Sequence, residues 1–304
     1  MSDLKLFRLT SNNVSQLSGG AVALERALQN AFESNLEALL GVRFLASEFH
    51  TEGGRMDTLG IDENGTPVII EYKRSSNENV INQGLFYLNW LVGHRKDFEW
   101  LVLNRFGMEE AKKVDWSGPR LICIAGDFTK YDEHAVKQMN RNIDLIRYRK
   151  FEGELLLLEQ LTSASAPTAG NLASVANTSK SMVKSKTKSV TQQIAEAPPK
   201  VRELYDALDS YLTALGDDVA VKPTECYVGY RRIKNFACVE VRNQLERIMA
   251  FVKVNPDTVS LELGFTRDVR KIGHFGTGDL EITIASLADL EKAKPLLDRS
   301  FNES

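Results

Sequence analysis

The chain has 304 residues, of which 43% are apolar and 26% charged, and its formal net charge is −3. This length is enough for two domains that each bury a core, and the slightly negative charge excludes a protein that binds polyanions over its whole surface. The chain contains no apolar run of membrane-spanning length and no signal peptide pattern at its N-terminus. We therefore expect a cytoplasmic protein without membrane contact. The three isolated cysteines lack metal-ligand spacing, which suits a reducing compartment and argues against a zinc site.

The first predicted element is an amphipathic helix over Ala23–Leu40. Its apolar residues recur at helical spacing and form one buried stripe: Leu24, Leu28, Phe32, Leu36 and Leu39. The same helix carries three glutamates, Glu25, Glu33 and Glu37. Each of them is also typical of a solvated helix face.

A predicted β-hairpin follows, with residues 53–57 on its first strand and Val68–Lys73 on its second. The residues between the strands, 62–66, have the composition of a three-residue loop closed by a glycine, Gly65, in the left-handed region. If Asp62 pairs with Thr66, Asp57 lies opposite Glu71 and Arg55 lies opposite Lys73. Opposite residues share a face of the sheet, so two carboxylates and a lysine would meet there.

Two observations leave an alternative open. A tighter turn at Asn64–Gly65 would pair Asp57 with Tyr72 and separate the carboxylates. A second Glu-x-Lys tripeptide, Glu110–Lys112, has no apolar strand before it, so the tripeptide alone carries little information. Paired acidic residues on a surface hairpin are also compatible with plain solvation.

The residue types nevertheless match one kind of chemistry. Mg²⁺ prefers oxygen ligands, usually one or two carboxylates together with water and substrate phosphate oxygens. Asp57 and Glu71 fit that requirement. A lysine two residues after the second carboxylate, Lys73, is suited to orienting or deprotonating a metal-bound water and to balancing charge on a phosphate in the transition state.

A helix predicted from about Glu78 to Val92 places Gln83 and Tyr87 at positions i and i+4, on one face. With this motif, residues 20–160 resemble the PD-(D/E)xK nuclease superfamily and, within it, the RecB-like and NucS-like branches. The family pattern is an acid on a leading helix, an Asp, a Glu-x-Lys on the next strand, and a helix with Gln-x-x-x-Tyr. Met56 stands where the superfamily's name has a proline.

This resemblance implies an endonuclease that hydrolyses DNA phosphodiester bonds with Mg²⁺, with Mn²⁺ as a substitute, in DNA repair or in defence against foreign DNA. Asp57, Glu71 and Glu25 would hold the metal, Glu25 being chosen for its distance ahead of Asp57. Lys73 would activate water, while Gln83 and Tyr87 would orient the lysine or contact the scissile backbone. The DNA would be single-stranded, branched or modified, and a homodimer is left open. The alternatives are a nucleic-acid-binding adaptor that does not cut, or an RNA-directed nuclease.

The remainder of the first domain, residues 1–162, is predicted to alternate between strands and helices. The predicted strands are Trp100–Leu103, Leu121–Ala125, Ile143–Tyr148 and Glu154–Leu158, and a helix is predicted over Ala135–Asn142. The expected fold class is therefore α/β, with a restriction-endonuclease-like mixed sheet flanked by helices. Arg55 and Arg74 are candidates for contacts with nucleic acid.

Residues 163–199 are rich in Ser, Thr, Ala, Asn and Lys, which predicts a flexible linker. The following segment, 200–304, is predicted to be a smaller α+β domain that positions the substrate. Its predicted elements are a helix through Leu204–Leu212, strands at Cys226–Tyr230, Ala237–Val241, Ile248–Val254 and Ser260–Leu263, and a terminal helix over Leu287–Leu297. It resembles a small bacterial domain of unknown function that is found attached to nucleases and to proteins labelled as predicted transport components.

The second domain also offers aromatic and basic residues close together. Candidates for stacking on a base and for binding phosphate are Tyr227, Arg231, Arg232 and Lys234. The alternative is that the tyrosine belongs to the core of the sheet and that the cations are solvated.

Overall fold

A computed structural model describes residues 5–11, 13–21, 25–73, 80–152, 154–164 and 188–304. The chain divides into two compact units, Met1–Pro167 and Thr168–Ser304. Each unit has its own sheet and its own hydrophobic core.

The sheet of the first unit has seven strands in the order β3-β8-β7-β6-β5-β4, with β9 also paired to β8. Its strands are β3 (Gly19–Gly20), β4 (Val42–Thr51), β5 (Gly54–Asp62), β6 (Pro67–Lys73), β7 (Arg120–Ala125), β8 (Asn142–Phe151) and β9 (Leu155–Ala164). The pairs β6–β7 and β7–β8 are parallel and the other pairs are antiparallel. A separate hairpin consists of β1 (Leu6–Thr10) and β2 (Asn13–Leu17). The mixed α/β sheet that the sequence predicts is therefore confirmed.

Six helices are found in the described part of the first unit, and they lie between its strands along the chain. They are α1 (Glu25–Glu33), α2 (Leu36–Leu40), α3 (Val80–Gly93), α4 (Arg95–Phe106), α5 (Met108–Lys112) and α6 (Lys130–Gln138). All residues of β7 and residues 67–72 of β6 are buried, as expected of parallel strands covered on both faces. The strands that carry the predicted carboxylates are both interior, with β6 between β5 and β7 and β5 between β4 and β6.

Three predicted elements of the first unit are wrong in detail. The helix predicted over Ala135–Asn142 is α6, which begins at Lys130 and ends at Gln138, and Asn142 belongs to β8. Trp100–Leu103 is part of α4 and not a strand, because Phe98 and Val102 are buried at helical spacing while Trp100 is exposed. A four-residue apolar run does not distinguish a strand from a helix. The single helix predicted over Ala23–Leu40 is interrupted by a turn at residues 34–35, and α1 and α2 lie on either side of it.

The second unit is an antiparallel sheet of six strands in the order β10-β11-β12-β13-β15-β14, accompanied by helices. Its strands are β10 (Ala220–Pro223), β11 (Val228–Arg231), β12 (Asn235–Arg242), β13 (Arg247–Val252), β14 (Thr266–Asp268) and β15 (Leu280–Ile284). Its helices are α7 (Val190–Ala195), α8 (Pro199–Ala214) and α9 (Leu287–Glu303). Alternate strand residues and one stripe of each long helix form its core, which confirms a smaller α+β unit.

The predicted linker, residues 163–199, extends too far at both ends. Residues 163–164 belong to β9, and α7 lies within the predicted linker with Val190 fully buried in the second core. A Ser-capped helix of six residues has too few apolar residues to stand out from its composition. Residues 165–187 lie outside the described part of the chain. The strand predicted over Ser260–Leu263 is a loop, and the neighbouring strand is β14.

Among the described residues, no helix combines the length and the apolar character needed to cross a membrane.

Candidate active site

The turn between β5 and β6 sets the register of the two strands. Asp62 N donates to Thr66 O at 2.9 Å, and Gly65 N donates to Asp62 O at 3.0 Å. Gly65 has φ +75°, the left-handed conformation that the loop requires. The pairing of Thr58 with Ile70 continues this register, so the predicted three-residue loop is confirmed and the two-residue alternative is wrong.

One step beyond Thr58 and Ile70, the same register places Asp57 opposite Glu71. Here the side chains take over from backbone carbonyls as acceptors. Asp57 N donates to Glu71 Oε1 at 3.2 Å, and Tyr72 N donates to Asp57 Oδ2 at 3.0 Å. This reciprocal arrangement fixes both carboxylates next to each other, with one oxygen of each bonded to the partner strand.

Glu71 is fully buried, and its second oxygen, Oε2, accepts no hydrogen bond from the described residues. Burial, followed by the negative charge of Asp57, raises the pKa of Glu71 to about 9. Burial likewise raises the pKa of the half-buried Asp57, although its hydrogen bond from Tyr72 N and the charge of Lys73 oppose the rise. The two carboxyl groups therefore share a site that disfavours two negative charges unless a cation is present.

Lys73 and Glu25 form an ion pair beside these carboxyl groups. Lys73 Nζ lies 3.1 Å from Glu25 Oε1, and the lysine side chain is 13% exposed while that of Glu25 is 37% exposed. Glu25 opens α1, and its negative charge contributes to the raised pKa values of Asp57 and Glu71. The structure thus brings Glu25 to the site, where its contact is with the lysine.

The other two glutamates of the predicted leading helix lie differently. Glu33 accepts hydrogen bonds from Thr58 Oγ1 at 2.6 Å and from Gln29 Nε2 at 3.0 Å, whereas Glu37 is exposed. Glu33 therefore anchors α1 to β5, and Glu37 faces solvent as expected.

Gln83 and Tyr87 lie on one face of α3, as the i and i+4 spacing predicts. Gln83 Nε2 donates to the Tyr87 hydroxyl at 3.3 Å, and Arg55 N donates to the same hydroxyl at 3.0 Å. Tyr87 is buried. Gly54 has φ +150°, and a Cβ atom there would lie 2.5 Å from the Tyr87 hydroxyl oxygen. The motif therefore holds the start of β5, which carries Asp57.

Two residues that the sequence interpretation missed also contact this region. Gln29 is buried on α1, and its Nε2 donates to Asp57 O at 2.8 Å. Glu48 lies in β4, and the pairs Ser47–Thr58 and Phe49–Met56 place it opposite Asp57. Gln29 has a detectable signal, since it is a polar residue next to the buried stripe of the helix. Glu48 has none, because the sequence around it does not predict β4.

The candidates for contacts with nucleic acid lie in different environments. Arg55 is more than half exposed and forms a short ion pair with Glu48. Arg74 lies outside the described residues. In the second unit, Tyr227 is buried with Cys238 and Phe251, so its ring is not available to stack on a base.

Burial also removes Arg231 from the surface. Arg232 donates from Nε to Asp218 Oδ2 at 2.7 Å, and its guanidinium lies over the ring of Phe301. Lys234 belongs to the turn between β11 and β12, where its backbone carbonyl accepts from Arg232 N. Tyr227 therefore belongs to the core, as the alternative interpretation predicts, whereas Arg231 is buried and not solvated.

Within the described part of the chain, no group of three or more His, Cys, Asp or Glu side chains is arranged to hold a metal ion. What the site offers is a pair of carboxylates with an unbonded buried oxygen, next to a lysine. Mg²⁺ is commonly held by one or two protein carboxylates, with water and substrate oxygens completing its shell. The donor set fits such an ion and does not fit a closed structural metal cage.

Comparison with protein families matches residues 190–304 to a family described as a domain of unknown function (DUF5655). This confirms the resemblance of the second unit to such a domain. A protein of Haemophilus influenzae described as uncharacterized is 28% identical over 308 residues, covering 99% of this chain and 100% of that protein.

Three solved structures have a limited likeness to the chain. A repair endonuclease from Pyrococcus abyssi has a TM-score of 0.28 at 16% identity, over 41% of this chain and 48% of that one. The EndoMS–dsDNA2 complex has a TM-score of 0.25 at 16% identity, over 47% and 64%. Pyrococcus furiosus SfsA in complex with Ca²⁺ has a TM-score of 0.26 at 14% identity, over 48% and 68%. The chain thus matches about half the length of the repair endonuclease.

Proposed function

We propose that the first unit is a Mg²⁺-dependent endonuclease that hydrolyses phosphodiester bonds in DNA. The observation that carries the proposal is the reciprocal bonding of Asp57 and Glu71, which leaves Glu71 Oε2 buried and without a hydrogen bond beside the Lys73–Glu25 ion pair. Burying two carboxyl groups together is unfavourable without a cation. A divalent ion would remove that cost and bring phosphate to the site.

Asp57 and Glu71 would hold the metal, because each has one oxygen committed to the partner strand and one left to bind. When bound, Mg²⁺ would supply charge neutralisation at the phosphate and would lower the pKa of a bound water. Glu25 contacts the ammonium group of Lys73. We propose that its main role is to hold that lysine next to the metal site.

Lys73 would activate the attacking water mainly by orienting it. Its ammonium contacts Glu25, and its charge acts on both Asp57 and Glu71. Hydrogen bonds from the ammonium would orient the water and stabilise negative charge on the phosphate. The water oxygen would form a bond to phosphorus while the bond from phosphorus to the leaving oxygen breaks, and the proton that the water loses would pass through solvent to the leaving oxygen. Gln83 and Tyr87 would contribute by keeping β5, and hence Asp57, in place.

The biological setting, DNA repair or defence against foreign DNA in the cytoplasm, is part of the same proposal and rests on the resemblance of the motifs. A substrate-selecting role of the second unit stays a prediction. A homodimer also stays a prediction.

The test is to incubate the purified protein and its Glu71→Ala variant with Mg²⁺ or Mn²⁺ and labelled single-stranded, duplex, branched and modified DNA, with RNA as a further substrate. Lys112→Ala is a matched control, because Lys112 ends the chain's other Glu-x-Lys tripeptide and forms an exposed ion pair with Glu109. We expect metal-dependent cutting of DNA that Glu71→Ala loses and Lys112→Ala keeps. Binding of DNA without cutting by the wild type would contradict the proposal and favour an adaptor, and preferential cutting of RNA would favour an RNA-directed enzyme.

A further inference from the structure

Glu48 has an unusual backbone for a residue in the middle of a strand. Its φ is +53°, in the left-handed region that residues other than glycine, asparagine and aspartate adopt rarely. The flanking pairs of β4 with β5 place Glu48 opposite Asp57. Strained backbone of this kind persists where the surrounding structure enforces it, and it is concentrated at functional sites.

The side chain of Glu48 joins two arginines from different elements. Arg26 Nη1, on α1, lies 2.5 Å from Glu48 Oε1, and Arg55 Nε, on β5, pairs with Glu48 Oε2. The glutamate side chain is only 20% exposed, whereas those of Arg26 and Arg55 are 58% and 56% exposed. The glutamate is thus largely sheltered, while more than half of each arginine side chain is open to solvent.

The three side chains carry a net charge of +1 next to the proposed metal site. Arg26 follows Glu25, the partner of Lys73, and Arg55 precedes Asp57 by two residues, or about 7 Å along the strand. Arg26 Nη1 also donates to Gln29 Oε1 at 3.3 Å, and Gln29 in turn bonds to Asp57 O. The pair of arginines is therefore tied to the strand that carries the reacting centre.

We propose that Arg26 and Arg55 bind the phosphates that flank the scissile phosphodiester, and that Glu48 is the positioning residue that sets their geometry. This inference rests on the proposed nuclease function. Guanidinium groups suit this task because their fixed donors match phosphate oxygens. A carboxylate between them holds both in place without substrate, so binding requires little reordering of long side chains.

The first experiment measures the affinity for a fluorescent DNA that the wild type cuts, without divalent metal so that no cleavage occurs, over a range of salt concentrations. Arg26→Ala and Arg55→Ala should each weaken binding by about 3- to 10-fold and reduce the slope of log Kd against log salt by about one. Lys112→Ala again serves as the control. Lys112 is close in sequence to Asp115, whose N donates a hydrogen bond to Gly65 O in the hairpin turn. That turn is about 17 Å from Asp57 along the strand, so Lys112 is remote from the proposed phosphate contacts. Unchanged affinity and slope in both arginine variants would overturn the inference.

The second experiment separates positioning from binding. Glu48→Gln should lower the single-turnover cleavage rate at saturating DNA by about tenfold. Its Kd for DNA should change by less than about 3-fold, because the loss of preorganisation and the removal of a negative charge have opposite effects on binding. Glu48→Asp should recover part of the rate, because it restores the carboxylate on a residue that accepts left-handed backbone. Glu48→Gly should be folded with a Tm at or above that of the wild type and still cut slowly, which excludes misfolding as the cause.

Two results would overturn the role of Glu48. Cleavage by Glu48→Gln at the wild-type rate would show that the carboxylate does not position anything. Weaker binding of Mn²⁺ by Glu48→Gln in calorimetry would make Glu48 a metal ligand instead. If the wild type cuts no nucleic acid, the proposed function fails. If the wild type and the Arg26, Arg55 and Glu48 variants all cut DNA at the same rate, only the present inference fails.

Discussion

Two buried carboxyl groups in the first sheet, Asp144 and Glu71, differ in whether the fold supplies a partner for each of their oxygens. Asp144 on β8 pairs with Arg120 of β7 in a short ion pair, both side chains being at most 3% exposed, and Ser163 Oγ donates to its other oxygen at 2.6 Å. Glu71 on β6 is equally buried, yet its neighbour is Asp57 and its Oε2 is unbonded. Asp144 is neutralised within the framework. Glu71 is left in need of a cation, which distinguishes a site from a structural ion pair.

The largest expected effect is a loss of cleavage when residues beside Glu71 are substituted. Asp57→Ala or Lys73→Ala should lower the cleavage rate by about 10³-fold or more, because each removes a group that holds the metal or stabilises developing charge. Both variants should keep the wild-type circular dichroism spectrum, and their unfolding should remain cooperative. Wild-type cleavage rates in either variant would remove the assignment of that residue.

Substitution of Asp144 is expected to lower the stability of the fold and not the cleavage rate. Asp144→Ala leaves the buried Arg120 without its carboxylate, and breaking a buried pair in this way typically costs about 3–5 kcal/mol. Urea denaturation should show a lower midpoint with an unchanged slope. Under conditions where the variant is folded, its cleavage rate should be close to that of the wild type. A variant as stable as the wild type but inactive would reverse the distinction between the two sites.

The stability of the protein should also depend on pH through Glu71. Because the pKa of Glu71 is raised to about 9 from 4.5, the folded state holds a proton that the unfolded state releases from about pH 4.5 upward. Without divalent metal, the Glu71 contribution should therefore lower the stability as pH rises toward 9, with a slope of at most about 1.4 kcal/mol per pH unit.

Thermal unfolding in a chelator, at several pH values, measures this contribution. Glu71→Gln should flatten the decline and raise the Tm at pH 8, and added Mg²⁺ should stabilise the wild type more at pH 8 than at pH 6, since metal displaces the proton. Equal pH profiles for wild type and Glu71→Gln would show that Glu71 is ionised without metal.

The sequence predicts the centre of this site better than its surroundings, for a physical reason. Asp57 and Glu71 are linked by a short turn whose glycine determines the register, so local rules are sufficient to place them together. Gln83 and Tyr87 are likewise related by the geometry of one helix. Glu48 and Gln29 reach Asp57 only through the packing of β4 and α1, which no local pattern specifies.

Burial causes the larger errors elsewhere in the chain. Tyr227 and Arg231 have the residue types of a nucleic-acid surface, but the sheet of the second unit buries them. Trp100–Leu103 reads as a strand because four apolar residues in succession look the same in a strand and in a helix. Which side of an element is covered depends on the whole fold, and the composition of a short segment does not contain that information.

The smallest expected effect concerns Tyr87, which supports β5 without being part of the carboxyl pair. Tyr87→Phe keeps the ring but removes the acceptor of Arg55 N and of Gln83 Nε2, and leaving a backbone donor unbonded costs about 1–2 kcal/mol. Cleavage should fall by about tenfold or less, because Asp57 is still held by Tyr72 N and Gln29. Gln83→Ala, which leaves the bond from Arg55 N to the hydroxyl intact, is the matched control and should be milder in both measurements. A Tyr87→Phe loss as large as that of Asp57→Ala would instead mean that the hydroxyl takes part in the reaction, and it would join Lys73 at the scissile phosphate.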